Sequence, residues 1–183
     1  MVLQVEQKLV DLNRQKLSLE ASIRDNEALG QGILSLVEAR ANPREISKFK
    51  MHCEDLDKIT SLLVCLSGRL ARVESALLSS AECFDSNSRN LSQHFCGEEK
   101  ASQLLCKKEK LQCQLSEAKN LQENTDKRSL IVGAFLKKYF NPSEYRDFEA
   151  FVATKAKLIM ETREIGDKIE LCQEQMRTLT KNL

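Results

Sequence analysis

The chain has 183 residues with no tryptophan, 5% aromatic residues, two prolines and six glycines. So few turn-forming residues argue against a multi-stranded sheet and favour long helices. There are 28 lysines and arginines against 27 aspartates and glutamates, so the formal net charge is only +1. This balance provides no basic excess for binding nucleic acid or an anionic membrane surface.

The sequence also lacks the features of a secreted or membrane-inserted chain. No run approaches the roughly 18 apolar residues that a membrane span needs, and the N-terminus has no signal-peptide pattern. The seven cysteines include no Cys-x-x-Cys pair, as expected for free thiols in a reducing compartment. We therefore expect a cytoplasmic protein without membrane insertion. Cys106 and Cys113 would share a helix face, so a disulfide or metal role stays open beside that of idle thiols.

The first predicted helix covers residues 2–40 and follows one heptad register. Its apolar seam residues are Val5, Leu9, Leu12, Leu19, Ile23, Ile33 and Val37. Lys16, Asn26 and Gly30 fill seam positions between them, and a polar seam residue can fix register at some cost in stability. We expect a coiled-coil helix with a bend or softening near Gly30 and Gly32.

Two four-residue signals predict helix starts: Asn42-Pro43-Arg44-Glu45 and Asn141-Pro142-Ser143-Glu144. In each, asparagine can accept hydrogen bonds from the free amides of the first turn, and proline suits the first helical position. The glutamate three residues after the cap can bond back to the asparagine amide. Because the residue before proline avoids the helical region, each signal also predicts the end of a preceding helix.

The second helix is predicted over residues 43–79. Its seam residues are Ile46, Phe49, Cys53, Leu56 and Ile59, followed by Leu63, Leu66, Leu70, Val73 and Leu77. The step from Leu56 to Ile59 is three residues where four are expected. Such a slip overwinds the coil locally or transfers the seam to a different neighbour.

The outer face of residues 61–78 is unlike that of a solvated coiled coil. One outer strip is apolar at seven-residue spacing and consists of Val64, Ala71 and Leu78. The next strip consists of the small residues Ser61, Gly68 and Ser75, and Cys65 and Arg72 lie beside these strips. A small strip next to an apolar one lets another backbone approach closely, while Arg69 and Arg72 can reach carboxylates at the rim. Either this face is buried in a multi-helix bundle of the chain itself, or it binds a partner.

The remaining pattern predicts a linker over residues 80–99 and two more helices, over 100–139 and 142–183. The linker is rich in serine and asparagine, and the last helix carries Tyr145, Phe148 and Phe151 near its start. No strand pattern competes. The sequence therefore predicts a single all-α domain over residues 1–183, with long helices in a segmented antiparallel coiled coil.

No catalytic constellation is evident. His52 and His94 have no metal-ligand spacing and no third group, and are interpreted as surface or linker histidines. Gly30 and Gly32 follow no strand, which argues against a nucleotide loop. Arg163-Glu164 and Asp167-Lys168 are interpreted as solvated helix charges. We expect no enzyme activity, no cofactor and no metal site.

Four runs carry a resemblance to a known family: Asn26-Glu27-Ala28-Leu29-Gly30, Asp55-Leu56-Asp57-Lys58, Leu66-Ser67-Gly68-Arg69-Leu70-Ala71-Arg72-Val73-Glu74 and Arg163-Glu164-Ile165-Gly166-Asp167-Lys168-Ile169. In this order they resemble the C-terminal signature domain of the Shroom proteins, Shroom domain 2. The resemblance implies a segmented antiparallel coiled coil, commonly a homodimer. It also implies recruitment of Rho-associated kinase to drive contractility and apical constriction at epithelial junctions, with actin bound through other regions of the full-length protein.

Family resemblance places kinase binding on Ser67 to Arg72, within the outer face singled out above. The expected partner-binding residues are Val64, Cys65, Ser67, Gly68, Arg69, Ala71, Arg72, Glu74 and Leu78. A second hypothesis is a purely structural coiled-coil tether without a kinase partner, which would self-associate through its seams alone. An enzyme is the third class considered, and it lacks a nucleophile with a base and a phosphate loop.

Overall fold

A computed structural model describes residues 2–85 and 91–181, and these residues form four helices. They are α1 (Val2–Arg40), α2 (Pro43–Asp85), α3 (Leu91–Tyr139) and α4 (Pro142–Lys181). The described ranges contain no strand. The all-α fold class with long antiparallel helices is therefore confirmed. No described helix is both long and apolar enough to cross a membrane.

The helices between the two capping signals are longer than the sequence predicts. α2 continues to Asp85 instead of ending near residue 79, and α3 begins at Leu91 instead of near residue 100. The loss of apolar periodicity over residues 80–99 means only that the sequence there shows no repeating packing face. A helix can still form through residues of high helix propensity, such as alanine and glutamate. Residues 86–90 of the predicted linker and residues 182–183 of the predicted last helix lie outside the described residues.

Both predicted capping signals form. The Asn42 side chain accepts a hydrogen bond from the Glu45 amide at 3.0 Å, and the Glu45 carboxylate accepts one from the Asn42 amide at 3.3 Å. In the second signal the Asn141 side chain accepts from the Glu144 amide, and the Glu144 carboxylate accepts from the Asn141 amide, both at 2.9 Å. These reciprocal bonds satisfy first-turn donors, so α2 and α4 begin at the prolines that follow.

The chain divides into two compact units. Unit 1 comprises Met1–Ser61 and Thr125–Leu183, and unit 2 comprises Leu62–Asn124. α2 and α3 each contribute one segment to both units. The three-residue step from Leu56 to Ile59 falls just before the boundary between Ser61 and Leu62.

Unit 1 is held together by an aromatic-rich core. Its buried members are Ile33, Val37, Phe49, Val132, Phe135, Leu136, Phe140, Phe148 and Phe151. The Phe49 and Phe148 rings lie 5.9 Å apart between centroids, at a tilted angle that aromatic pairs favour. The sequence signal of clustered aromatics near the start of α4 thus corresponds to the core of this unit.

Contacts between α1 and α4 show that these helices run antiparallel. Arg40, at the end of α1, donates two hydrogen bonds to the Glu144 carboxylate near the start of α4, at 2.7 and 2.9 Å. Earlier in α1, the Asn26 amide donates to the Phe151 carbonyl at 3.4 Å. The Arg40 guanidinium and the Asn141 amide together lower the pKa of the Glu144 carboxyl. This glutamate therefore caps α4 and joins it to α1.

Gly30 lies where α1 meets the Phe151 ring of α4. A Cβ atom at this position would lie 2.5 Å from Cε2 of Phe151. By contrast, a Cβ at Gly32 would meet nothing within 4 Å. Gly30 thus permits a close approach of helix backbone and aromatic ring, which is a packing role rather than a turn role.

His52 is buried in unit 1, so its interpretation as a surface or linker residue is wrong. Only 1% of its surface is exposed, and its Nε2 lies 3.2 Å from the hydroxyl of Ser129 on α3. Burial, followed by the nearby Arg128 guanidinium, lowers the pKa of His52. Arg128 itself pairs with Asp55 at 2.5 Å. A neutral imidazole is therefore favoured in this unit. The side chain of His94 lies outside the described residues.

Candidate functional site

The second half of α2 turns its seam toward α3 within unit 2. Leu66 and Val73 are buried together with Leu111 and Ala118 of α3. Partly buried leucines flank this core, namely Leu63, Leu70, Leu77, Leu104 and Leu115. The five residues that the sequence assigns to the seam of residues 63–77 thus all lie on the α3-facing side of α2, and the outer face points away from it.

The outer face carries the predicted partner-binding residues at graded exposure. Ser67, Arg69, Ala71, Arg72 and Leu78 are exposed, and Val64, Cys65, Gly68 and Glu74 are half-buried. Leu78 leaves 68% of its surface in solvent. Ala71 and Leu78 are therefore not covered by the described part of the chain, although the strict spacing that includes them resembles a buried strip.

Glu74 makes an ion pair with the neighbouring helix of unit 2. Its carboxylate lies 3.0 Å from the ammonium of Lys108 on α3. Lys108 occupies a seam position between Leu104 and Leu111, and its long side chain leaves the seam to reach the edge of the helix pair. Glu74 thus joins α2 to α3 on this edge.

Two arginines lie on this stretch of α2. Among residues 62–78, Arg69 and Arg72 are the basic residues and Glu74 is the acidic one. Both arginine side chains are exposed. Arginine suits such a rim, because its planar guanidinium can bind a carboxylate with two hydrogen bonds.

Neither a metal centre nor a cofactor site is suggested by the rest of the described chain. Within the described residues no group of three or more His, Cys, Asp or Glu side chains could hold a metal ion. Cys106 and Cys113 are free and exposed, and Cys172 is free and buried. Burial raises the pKa of the Cys53 thiol to about 11, so it is not an activated nucleophile.

The charged run on α4 has the character that the sequence indicates. Arg163 pairs with Asp167 at 3.1 Å, and Lys168 pairs with Glu164 at 2.6 Å, both one turn apart on the same helix. The Lys168 ammonium lowers the pKa of the exposed Glu164 carboxyl. Pairs of this kind are typical of a solvated helix face and differ from the uncharged strip of α2.

Sequence reasoning about the outer face of α2 missed two exposed leucines on α3 in the same unit. Leu105 and Leu121 each leave 51% of their surface in solvent. Leu105 directly follows the seam residue Leu104, and Leu121 lies three residues after the seam residue Ala118, so the heptad spacing of α3 places both leucines beside its seam.

Fold and surface together define a class: an all-helical coiled-coil domain that carries an uncovered strip of small and apolar residues on one helix. Over residues 1–183 the chain matches the family model described as Apx/Shroom domain ASD2. The chain belongs to the Shroom family, as the four sequence runs indicate.

Individual relatives agree with the family match. Shroom3 of Xenopus laevis is 39% identical over 176 residues, which are 96% of this chain and 9% of that protein. Shroom2 of Xenopus tropicalis is 39% identical over 98% of this chain and 10% of its own length. Shroom of Drosophila melanogaster is 28% identical over the same shares. This chain spans about a tenth of the length of these relatives, and none of their names denotes an enzyme.

Proposed function

We propose that this domain is a non-enzymatic adaptor that docks onto the coiled-coil region of Rho-associated kinase. By doing so it concentrates the kinase on actin, which other regions of the full-length protein bind, and promotes actomyosin contractility and apical constriction. The proposed location is the cytoplasmic cytoskeleton at apical junctions. The domain is further proposed to self-associate as a homodimer.

The observation that carries the proposal is the uncovered strip on the outer face of α2. Ala71 and Leu78 are apolar and exposed at seven-residue spacing, and the exposed Ser67 beside them is small. Exposed apolar surface at helical spacing is typical of a site that accepts another helix. Coiled-coil partners present a matching helix surface, so a coiled coil is the kind of ligand this strip suits.

The rim of the strip supplies the polar part of the proposed interaction. Arg69 and Arg72 are exposed on the same stretch, and acidic side chains of a partner helix can reach them. Charge-assisted hydrogen bonds of this type give orientation as well as affinity. The proposed division of labour is close packing by the small and apolar residues and specificity by the arginines.

The test combines size exclusion with light scattering for the domain alone and mixed with the kinase coiled-coil fragment. We expect a co-eluting complex that the double variant Arg69→Ala/Arg72→Ala weakens by about tenfold, with unchanged helicity. Loss of two exposed charge pairs costs about 1–2 kcal/mol at a partly desolvated interface, and 1.4 kcal/mol corresponds to tenfold.

A matched control separates a specific site from overall charge. Arg24→Ala/Arg177→Ala removes two exposed arginines from α1 and α4, outside unit 2, and changes the net charge equally. Binding that falls equally in both double variants contradicts the proposed face. A domain that self-associates but never shifts with the kinase fragment contradicts the adaptor role and favours a purely structural tether.

A further inference from the structure

Unit 1 contains two helical hairpins whose turns carry the same capping signal. Hairpin 1 comprises residues 26–57 of α1 and α2, and hairpin 2 comprises residues 125–156 of α3 and α4. The signals begin at Asn42 and Asn141, 99 residues apart. The amides of Ile46 and Tyr145 donate to the carbonyls of these two asparagines, each at 3.0 Å. Each residue of hairpin 1 can therefore be compared with the residue 99 positions later in hairpin 2.

Burial in the core of unit 1 follows this equivalence. Four equivalent pairs are buried at both positions: Ile33 and Val132, Val37 and Leu136, Phe49 and Phe148, and His52 and Phe151. The rings of Phe49 and Phe148 also contact each other, with centroids 5.9 Å apart. Equivalent residues meet in this way beside a two-fold axis, so the hairpins pack as a two-fold pair.

Hydrogen bonds between the hairpins are reciprocal, as two-fold packing requires. Arg40 of hairpin 1 donates to the carboxylate of Glu144 in hairpin 2, at 2.7 and 2.9 Å. Tyr139 is the equivalent of Arg40, and its hydroxyl donates to the carboxylate of Glu45 at 2.9 Å. Both sides thus end on a capping glutamate, so this contact ties the hairpins together without distinguishing one from the other.

A second reciprocal contact has different chemistry on its two sides. Gly30 lies against Phe151 so closely that a Cβ atom would be 2.5 Å from Cε2 of the ring. The equivalent residues are Ser129 and His52, whose Oγ and Nε2 atoms lie 3.2 Å apart. One side therefore matches a glycine with a phenyl ring, and the other matches a hydroxyl with a buried imidazole.

We infer that these two contacts are specificity determinants, which make hairpin 1 pair with hairpin 2 and not with another hairpin of its own kind. Self-pairing of hairpin 2 would bring Ser129 against Phe151, where the structure leaves no room for a Cβ atom. Self-pairing of hairpin 1 would place Gly30 opposite His52 and deprive the buried imidazole of its hydroxyl partner. Each wrong pairing is disfavoured by its own mechanism, which is how similar partners are told apart.

An ion pair between the hairpins has the same one-way character. Arg128 of hairpin 2 pairs with Asp55 of hairpin 1 at 2.5 Å. The equivalent positions hold Leu29 and Thr154. Self-pairing of hairpin 1 would put Asp55 opposite a leucine, and self-pairing of hairpin 2 would put Arg128 opposite a threonine. This ion pair therefore also favours the pairing of unlike hairpins.

The experiment exchanges the two specificity contacts within the intact chain and follows thermal unfolding by circular dichroism. The transposed variant Gly30→Ser/His52→Phe/Ser129→Gly/Phe151→His has four substitutions and rebuilds both matched contacts on opposite sides. The half-transposed variants Gly30→Ser/Ser129→Gly and His52→Phe/Phe151→His have two substitutions each and rebuild neither contact. We expect the transposed variant to melt at least about 5 °C above both half-transposed variants, because only they combine overpacking with a lost hydrogen bond. A transposed variant that does not fold, or that melts no higher than they do, overturns the inference.

A second pair of variants tests the two-fold equivalence at exposed positions, where substitution does not threaten folding. Leu29→Arg/Thr154→Asp places opposite charges at the positions equivalent to Arg128 and Asp55. Leu29→Arg/Thr154→Lys is the matched control with like charges. The variant with opposite charges should melt about 2–4 °C above this control. Equal melting temperatures would mean that the two positions are not adjacent, and the inference would fail.

Discussion

Substitution of Gly30 by alanine should not stabilise unit 1, although alanine is the better helix former. The added methyl group would lie 2.5 Å from Cε2 and 2.9 Å from Cζ of Phe151. Real Cβ atoms do not approach carbon so closely, so the ring or the helix must move. Phe151 is 6% exposed and belongs to the core, and the Lys155 ammonium lies 5.3 Å from its ring centroid. Movement of the ring therefore disturbs packing on more than one side.

The magnitude follows from two opposing terms. Alanine in place of glycine in a helix gains about 1 kcal/mol. Overpacking of a well-filled core costs about 1–3 kcal/mol. Gly30→Ala should therefore range from neutral to about 2 kcal/mol destabilised. Gly32 lies two residues away on the same helix, and a Cβ atom there would meet nothing within 4 Å. Gly32→Ala should therefore show only the gain in helix propensity.

The assay is thermal unfolding followed by far-ultraviolet circular dichroism, with both variants measured against the wild-type chain. For a chain of this length about 2–4 °C in Tm corresponds to 1 kcal/mol, so the two alanine variants should differ by several degrees. Phe151→Leu should partly rescue Gly30→Ala in a double-mutant cycle, with a coupling of about 0.5 kcal/mol or more. A Gly30→Ala variant as stable as Gly32→Ala, or strictly additive effects with Phe151→Leu, would refute the close-packing explanation.

Two further predictions concern His52 and the capping asparagines. The pKa of His52 in the folded chain is below its ordinary value, so between the two values the unfolded chain binds more protons. The free energy of unfolding should therefore fall as the pH drops through about 6.5. His52→Gln should remove this pH dependence in urea titrations between about pH 5.5 and 7.5. If the variant keeps the same pH dependence, other groups cause it. Asn42→Ala and Asn141→Ala should each cost about 1 kcal/mol in chemical unfolding, since each removes a side-chain acceptor from a helix start. Asn120→Ala, an exposed residue inside α3, is the control that should cost nothing, and an equal loss there would contradict the capping role.

Features encoded by a few neighbouring residues could be predicted from the sequence. Each capping signal lies within four residues, and α2 and α4 begin where these signals place them. The seam over residues 63–77 also follows from local spacing, because a heptad register fixes which residues share a face. The helix bounds at Asp85 and Leu91 were not predicted, because fading periodicity removes evidence for packing without removing helix propensity.

Features that depend on residues distant in sequence could not be predicted. Gly30 was expected to soften α1, whereas its role is set by Phe151, which is 121 positions away on α4. His52 was expected at the surface, because nothing beside it in the sequence indicates the Ser129 hydroxyl that its ring meets. Glu74 was expected to face a partner, and its pairing with Lys108 depends on how α3 folds back. In each case the missing information is the register between two helices.

The neighbours of α2 differ between its two segments. In unit 1 the first segment of α2 has neighbours on two sides, because Asp55 pairs with Arg128 of α3 and Asp57 pairs with Lys155 of α4 at 2.7 Å. In unit 2 the second segment of α2 has α3 as its described neighbour, through the seam and the ion pair between Glu74 and Lys108. Small and apolar residues on the outer face of α2 in unit 2 are left exposed, and this is the surface on which we propose that a partner helix docks.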